Sequence, residues 1–466
     1  MTSTSIHSTR IDAPVVRGLT QASPRWFLYY YVVQIVCQLA LLSDALAPAR
    51  VIFRSATFGM SLLALAITTG RASSRAHPAL PYALFVFLIL LAESVHPETT
   101  SALGAFATLA IYVAILGPLF WVRRLRLDAG SFRQILIVVW AFQSLSALVG
   151  ALQVFYPSTF QPAVATILSD SYVSSLKITL SNGTEILRPS GLTDTPGGGA
   201  AGAAYAILLG MGLWTSRPRI MFRVLLLASF AVGMFVLYIC QIRSLVVMVG
   251  IATFVTASVH AARGRVRESI YVSAIIGGLG IGAFLAAVAT GGNDVMNRFS
   301  TLTSESPTEV YYTNRGIFLE QTWTTLLPKY PFGAGLGRWG MFSSYFENAK
   351  ASLIYVEIQW TGWLLDGGVA LVAVYSVMLV VTLHKAWTLA KTSNANWEIG
   401  SWGAMLVGYD IGTVALTFNF PVFISSSGLD FWLLNAAFFA VASDSPAEPL
   451  RGPHVHPSTN SGVTGR

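Results

Sequence analysis

Charge is what this chain lacks most. Of 466 residues only 11% are charged and 54% are hydrophobic, against about 25% charged in ordinary soluble domains. A mean hydropathy of +0.61 leaves too little polar surface to cover a water-soluble fold. Cysteine is nearly absent: Cys37 and Cys240 lie far apart, which excludes a disulfide framework and a cysteine metal site. No G-x-x-x-x-G-K-[ST] loop occurs, which excludes an ATP motor of that type. No G-x-S-x-G elbow occurs either. Of seven histidines only His96 falls among the outer connections described below, and no Asp-x-Asp pair exists, so the sequence offers no metal centre and calls for no cofactor.

What the chain has is long apolar runs. Twelve of spanning length fall at about 26–46, 51–70, 79–95, 102–122, 133–155, 197–215, 220–240, 243–262, 269–290, 358–384, 398–418 and 429–443. The expectation is an all-α polytopic membrane protein with about 12 transmembrane helices. Residues 26–290 form a transmembrane bundle with an outer loop at 156–196. A large outer loop follows at 291–357, and C-terminal transmembrane helices at 358–443. Residues 1–25 and 444–466 read as disordered cytoplasmic tails.

Basic residues orient the chain. Nineteen of the 29 lysines and arginines fall on one set of alternate connections. The positive-inside rule makes that set cytoplasmic, with both termini. The net charge of +8 is then mostly a topology signal and calls for no nucleic-acid partner. The polar N-terminal residues precede an apolar segment without a small-residue cleavage site, which predicts an uncleaved first span.

The joint between the seventh and eighth runs stands out. Val224 to Val259 would be roughly 54 Å long as one straight helix, nearly twice the ~30 Å hydrocarbon core. The stretch "VLYICQIRSLVVMVG" must therefore hold a tight outer hairpin, and it carries Arg243. An ionisable residue at a span boundary is a candidate site, although arginine also snorkels at interfaces. On the same face lie Arg188 of "RPSGLTDTPGGG", Arg315 of "NRGIFLEQTW", and Arg338 of "PFGAGLGRWG". The glycines that begin the 197–215 run are explained by close helix packing. The G-x-G-x-x-G at 335–340 has no strand before it and no βαβ unit around it. It predicts a turn returning the chain to the membrane, not a dinucleotide site.

The ordered set of "RPSGLTDTPGGG", the Arg-Ser of "QIRSLVV", "NRGIFLEQTW…PFGAGLG" and "VEIQWTGWLLDGG" resembles the O-antigen ligase and O-antigen polymerase superfamily over most of residues 185–385. The resemblance implies a GT-C-like membrane fold in the bacterial inner membrane, with the active site facing the periplasm. It implies transfer of glycan from undecaprenyl pyrophosphate to a glycan acceptor, metal-independent and inverting. A chain-length regulator is a further partner it leaves open. The family commonly has a histidine about nine residues before an acidic-x-Gly. Asp366 and Gly368 match that pair, and Glu357 stands in the histidine's place. That departure favours a polymerase over a ligase acting on lipid A-core.

The expected site therefore has Arg243 and Arg315 on the leaving pyrophosphate, since arginine's planar fork matches phosphate oxygens. Glu357 is the expected base taking the acceptor hydroxyl's proton. Arg188 and Arg338 are expected glycan or phosphate contacts, and Gln359 and Trp360 are expected to orient a sugar. An ion pair of Glu357 with a loop arginine or with Lys350 competes with the base role. A secondary transporter or a flippase for lipid-linked glycan is the rival class. Against a transporter, no repeat relates residues 26–155 to 197–443.

Overall fold

A computed structural model of the chain describes residues 25–68, 76–99, 101–162, 176–216, 218–304, 306–340, 354–392 and 397–444. The two expected tails, except Arg25 and Asp444, lie outside the described residues, as does Lys350. Among the described residues each of the twelve apolar runs overlaps a helix. In chain order these are α1 (Arg25–Ala40), α2 (Arg50–Ile67), α3 (Leu80–Glu93), α4 (Ala102–Leu116), α5 (Ala129–Phe155), α6 (Gly198–Thr215), α7 (Ile220–Ile239), α8 (Arg243–Ala262), α9 (Val266–Ser304), α10 (Gln359–Thr392), α11 (Trp397–Leu416) and α12 (Ser426–Asp444). Among the described residues eight helices are long and apolar enough to cross a membrane, or nine if α4 and the short helix bent 40° from it form one span. Helices α3 and α12 are apolar but shorter.

The protein is thus an all-α polytopic membrane protein. Its surface agrees with its lengths. Ile52, Phe85, Leu88, Phe254 and Leu285 are all more than half exposed. Leaving each such side chain in water would forgo about 1.5–3 kcal/mol of burial, so this belt belongs against lipid. The centre is built by α6 and α11, which pack on each other and on α8. Helix α6 is buried almost along its length because Gly199, Ala200, Gly202, Ala203 and Ala204 let its neighbours approach closely.

Local chemistry sets the helix ends. Ser101 caps α4 by accepting from the Gly104 N–H at 3.2 Å, and Asp128 caps α5 by accepting from the Ser131 N–H at 2.7 Å. The large connection departs from its expected start at 291. Helix α9 continues to Ser304 across a break at Gly292 (φ 64°, ψ −152°), where the backbone of Ser181 packs closely against it. A short antiparallel hairpin, β1 (Lys177–Thr179) and β2 (Glu185–Leu187), pairs Ile178 with Ile186 and leans on α9.

At the opposite end of the bundle Arg133 meets Glu398 at 3.4 Å, and the Arg265 guanidinium lies 3.6 Å from the centre of the Trp397 ring. The sequence assigns those arginines to the cytoplasmic connections, and the fold brings them to one end.

Candidate functional site

The tight joint is real: α7 ends at Ile239 and α8 begins at Arg243. Three residues, Cys240 to Ile242, make the turn. Among the described residues Gln241 is the one non-glycine with positive φ, at 57°, a conformation that costs about 1–3 kcal/mol. The result is a cation in the first turn of α8, where free N–H groups already create positive potential. Arg243 donates to Thr301 Oγ1 at 2.6 Å and to Asn314 Oδ1 at 3.3 Å. Both partners are neutral. The charge is therefore not cancelled.

Arg188 is brought to the same place by the packing of its segment. Buried Gln153 of α5 donates to Gly191 O at 3.0 Å and accepts from Gly191 N at 2.9 Å. The Gly199 N–H, at the start of α6, bonds Pro189 O at 3.2 Å. These bonds strap residues 189–191 between two helices. Arg188 Nε is buried without a hydrogen-bond partner.

Arg298, one of the ten outer cations, was not singled out from the sequence, and it completes the group. It lies within electrostatic reach of both Arg243 and Arg188. Arg298 and Thr301 are three residues apart on α9 and so share a face. They line a depression of about 360 Å³ with Lys177, Gln241, Asp294 and Asn297. Among the described residues Arg188, Arg243 and Arg298 form no ion pair. Three guanidinium groups without an ion pair repel one another, although Asp294 lines the same depression, and an anion between them relieves that repulsion. The sequence signal for Arg298 was its position, on a helix continuing past the apolar run, together with that three-residue spacing.

Arg315 follows Asn314, the partner of Arg243. Its Nη1 lies 2.6 Å from Glu357 Oε2. The expected base and one expected cation are thus joined, as the competing ion-pair reading anticipated. Arg315 sits in a widened helical turn, Tyr312–Gly316, of the kind that often occurs at functional sites.

The other expected residues are placed differently. Arg338 donates to Glu98 at 2.9 Å, beside the α3–α4 connection. Gln359 is fully buried; its Oε1 accepts from the Phe423 N–H at 2.6 Å and its own N–H bonds Thr417 O at 2.9 Å. It ties α10 to the turn before α12. Trp360 packs against Trp363 and Phe418, with ring centres 5.6 and 5.3 Å apart.

Asp366 holds the large connection down. It accepts from Trp339 Nε1 at 2.8 Å and from Tyr112 Oη at 2.7 Å. Two residues on, Gly368 has φ 61°, and a Cβ there would stand 2.3 Å from Pro331 O. The Val369 N–H bonds that same oxygen at 3.0 Å. Within the G-x-G-x-x-G, Gly335, Gly337 and Gly340 all have positive φ and turn the chain back. Trp339 is thereby fixed in the wall of a second, larger cavity of about 1000 Å³.

Among the described residues no group of three or more His, Cys, Asp or Glu side chains could hold a metal ion. Compared with protein families and with curated proteins, the chain matches none.

Proposed function

We propose that the protein is a glycosyltransferase that polymerises undecaprenyl-pyrophosphate-linked oligosaccharide repeat units. In this reading it sits in the bacterial inner membrane with about twelve spans in a GT-C-like arrangement. The hairpin end of the bundle then faces the periplasm. The observation that carries the reading is the convergence of Arg188, Arg243 and Arg298 beside the Arg315–Glu357 pair. The sequence stretches holding these residues, Arg298 apart, are those that resemble the O-antigen polymerase and ligase superfamily.

The chemistry follows from the charges. An acceptor hydroxyl attacks the anomeric carbon of the donor sugar from the face opposite the leaving group. The new C–O bond forms as the bond to pyrophosphate breaks. Undecaprenyl pyrophosphate departs with the electron pair, and the configuration inverts. The arginines stabilise the negative charge that builds on the leaving oxygen, the kind of term that is usually largest in catalysis. The hydroxyl's proton goes to Glu357. Arg315 holds that carboxylate before the donor arrives; the incoming pyrophosphate competes for the guanidinium and releases it.

The test is the glycan profile of cells lacking the protein. Accumulation of single repeats supports polymerisation. Full-length polymer left on its lipid carrier would make the protein a ligase using the same site, and loss of outward-facing lipid-linked repeats would make it a flippase.

A further inference from the structure

The larger cavity is separate from the arginine cluster. It lies among α1, α2, α4, α5, α6 and α12, with part of its wall formed by Ile354, Tyr355 and Val356. Glu357 is the next residue, so the cavity wall runs directly into the segment that carries that carboxylate.

Its lining has a distinct chemistry. Among the described residues the cation in the wall is Arg54, and it is spent on Asp194 at 2.5 Å. Asp430 also faces the cavity, and Gln34 Nε2 reaches it only at 3.5 Å. Tyr31, 3% exposed, lines the same wall; its hydroxyl has no hydrogen-bond partner, and neither does the buried Gln34 Oε1. Buried polar atoms without partners are rare because each costs about 1–3 kcal/mol. Gln38, Gln143 and Tyr205 add donors and acceptors around the same space. Among the described residues of its wall a phosphate would find no free cation. A prenyl chain would leave Asp430, three glutamines and three tyrosines facing hydrocarbon. A hydroxyl-rich ligand satisfies both acceptors and donors, and its apolar ring faces fit walls such as Phe142 and Trp339.

We infer that this cavity binds the acceptor glycan, with Asp430, Gln34 and Tyr31 holding its hydroxyl groups and Trp339 stacking on a sugar ring. The inference rests on the proposed transfer reaction for the word acceptor, and on the cavity alone for the word glycan.

The chain provides its own reporter. Cys37 lines the cavity and is partly exposed, whereas Cys240 is fully buried. Maleimide labelling of the full chain in lipid nanodiscs therefore reads Cys37. The probes are the free oligosaccharide released by mild acid from the host's own lipid-linked repeats, and farnesyl pyrophosphate as a prenyl anion without sugar. The oligosaccharide should slow labelling, and farnesyl pyrophosphate should not. Asp430→Asn and, separately, Gln143→Ala should each raise the oligosaccharide concentration for half-protection by about tenfold, as loss of a hydrogen bond to a charged or buried group does. Two variants keep the test meaningful if one fails to fold. Protection by farnesyl pyrophosphate, or no protection by the oligosaccharide, overturns the inference. If protection holds but the wild type never lengthens a glycan, the glycan site stands and the transfer reading falls.

Discussion

Arg315 and Glu357 face each other at 2.6 Å, with the carboxylate the more buried of the two. One residue comes from the helical part of the large connection and the other from the irregular return just before α10. A purely structural pair and a catalytic one differ in what a charge swap does. The double variant Arg315→Glu, Glu357→Arg should restore thermal stability lost in either single variant yet leave transfer near zero. Glu357→Gln should bind donor and not turn it over. Wild-type turnover by the swapped protein would reduce the pair to scaffolding.

Arg243 and Arg298 should behave as a functional unit. Truncation of either to Ala should cost roughly 3 kcal/mol of transition-state stabilisation, about a hundredfold in turnover, as loss of other charge-stabilising donors does. Arg243→Lys keeps the charge but loses the fork that spans Thr301 and Asn314, so it should stay well below wild type. Steady-state rates on purified variants read this. Normal rates in the Lys and Ala variants would leave these arginines only a role in topology.

The Asp366 anchor should act through position. Gly368→Ala forces a Cβ against Pro331 O from a left-handed backbone, a strain on the order of 1–3 kcal/mol. Melting of the detergent-solubilised protein should shift down, and the Trp339 indole should lose its Asp366 hydrogen bond. An unchanged melting temperature would mean the return loop is not fixed there.

Much of this was legible in the sequence, for a physical reason. Helices in lipid must satisfy their backbone internally and reach a minimum length. Apolar runs therefore mark them, and the turn at Cys240 to Ile242 followed from length alone. Side-chain placement was less legible. Gln359 looked like a sugar contact but is buried as a tie to Phe423, because the helical phase of α10 turns it inward. Arg298 was overlooked because α9 runs on to Ser304 past the end of the apolar run. The large cavity depends on how six helices from distant parts of the chain meet. No local pattern announces it.

Topology has a direct reading. In a Cys37→Ser background, with Cys240 buried, cysteine at exposed Ser304 should be labelled by an impermeant maleimide from the periplasmic side, and cysteine at exposed Ala262 should not. Ser216, on the inner set of connections, is too buried to report either way. The reverse labelling would move the arginine cluster to the cytoplasmic face and remove its proposed substrate.

The central claim is that this protein itself lengthens a lipid-linked glycan. The most direct measurement supplies purified wild-type protein in nanodiscs with undecaprenyl-pyrophosphate-linked repeat units and follows chain length by mass spectrometry. The account predicts products of two and more repeats and release of undecaprenyl pyrophosphate in step with each new linkage, both slowed about a hundredfold in Arg243→Ala. Repeat units that remain single, with no pyrophosphate released, would contradict it.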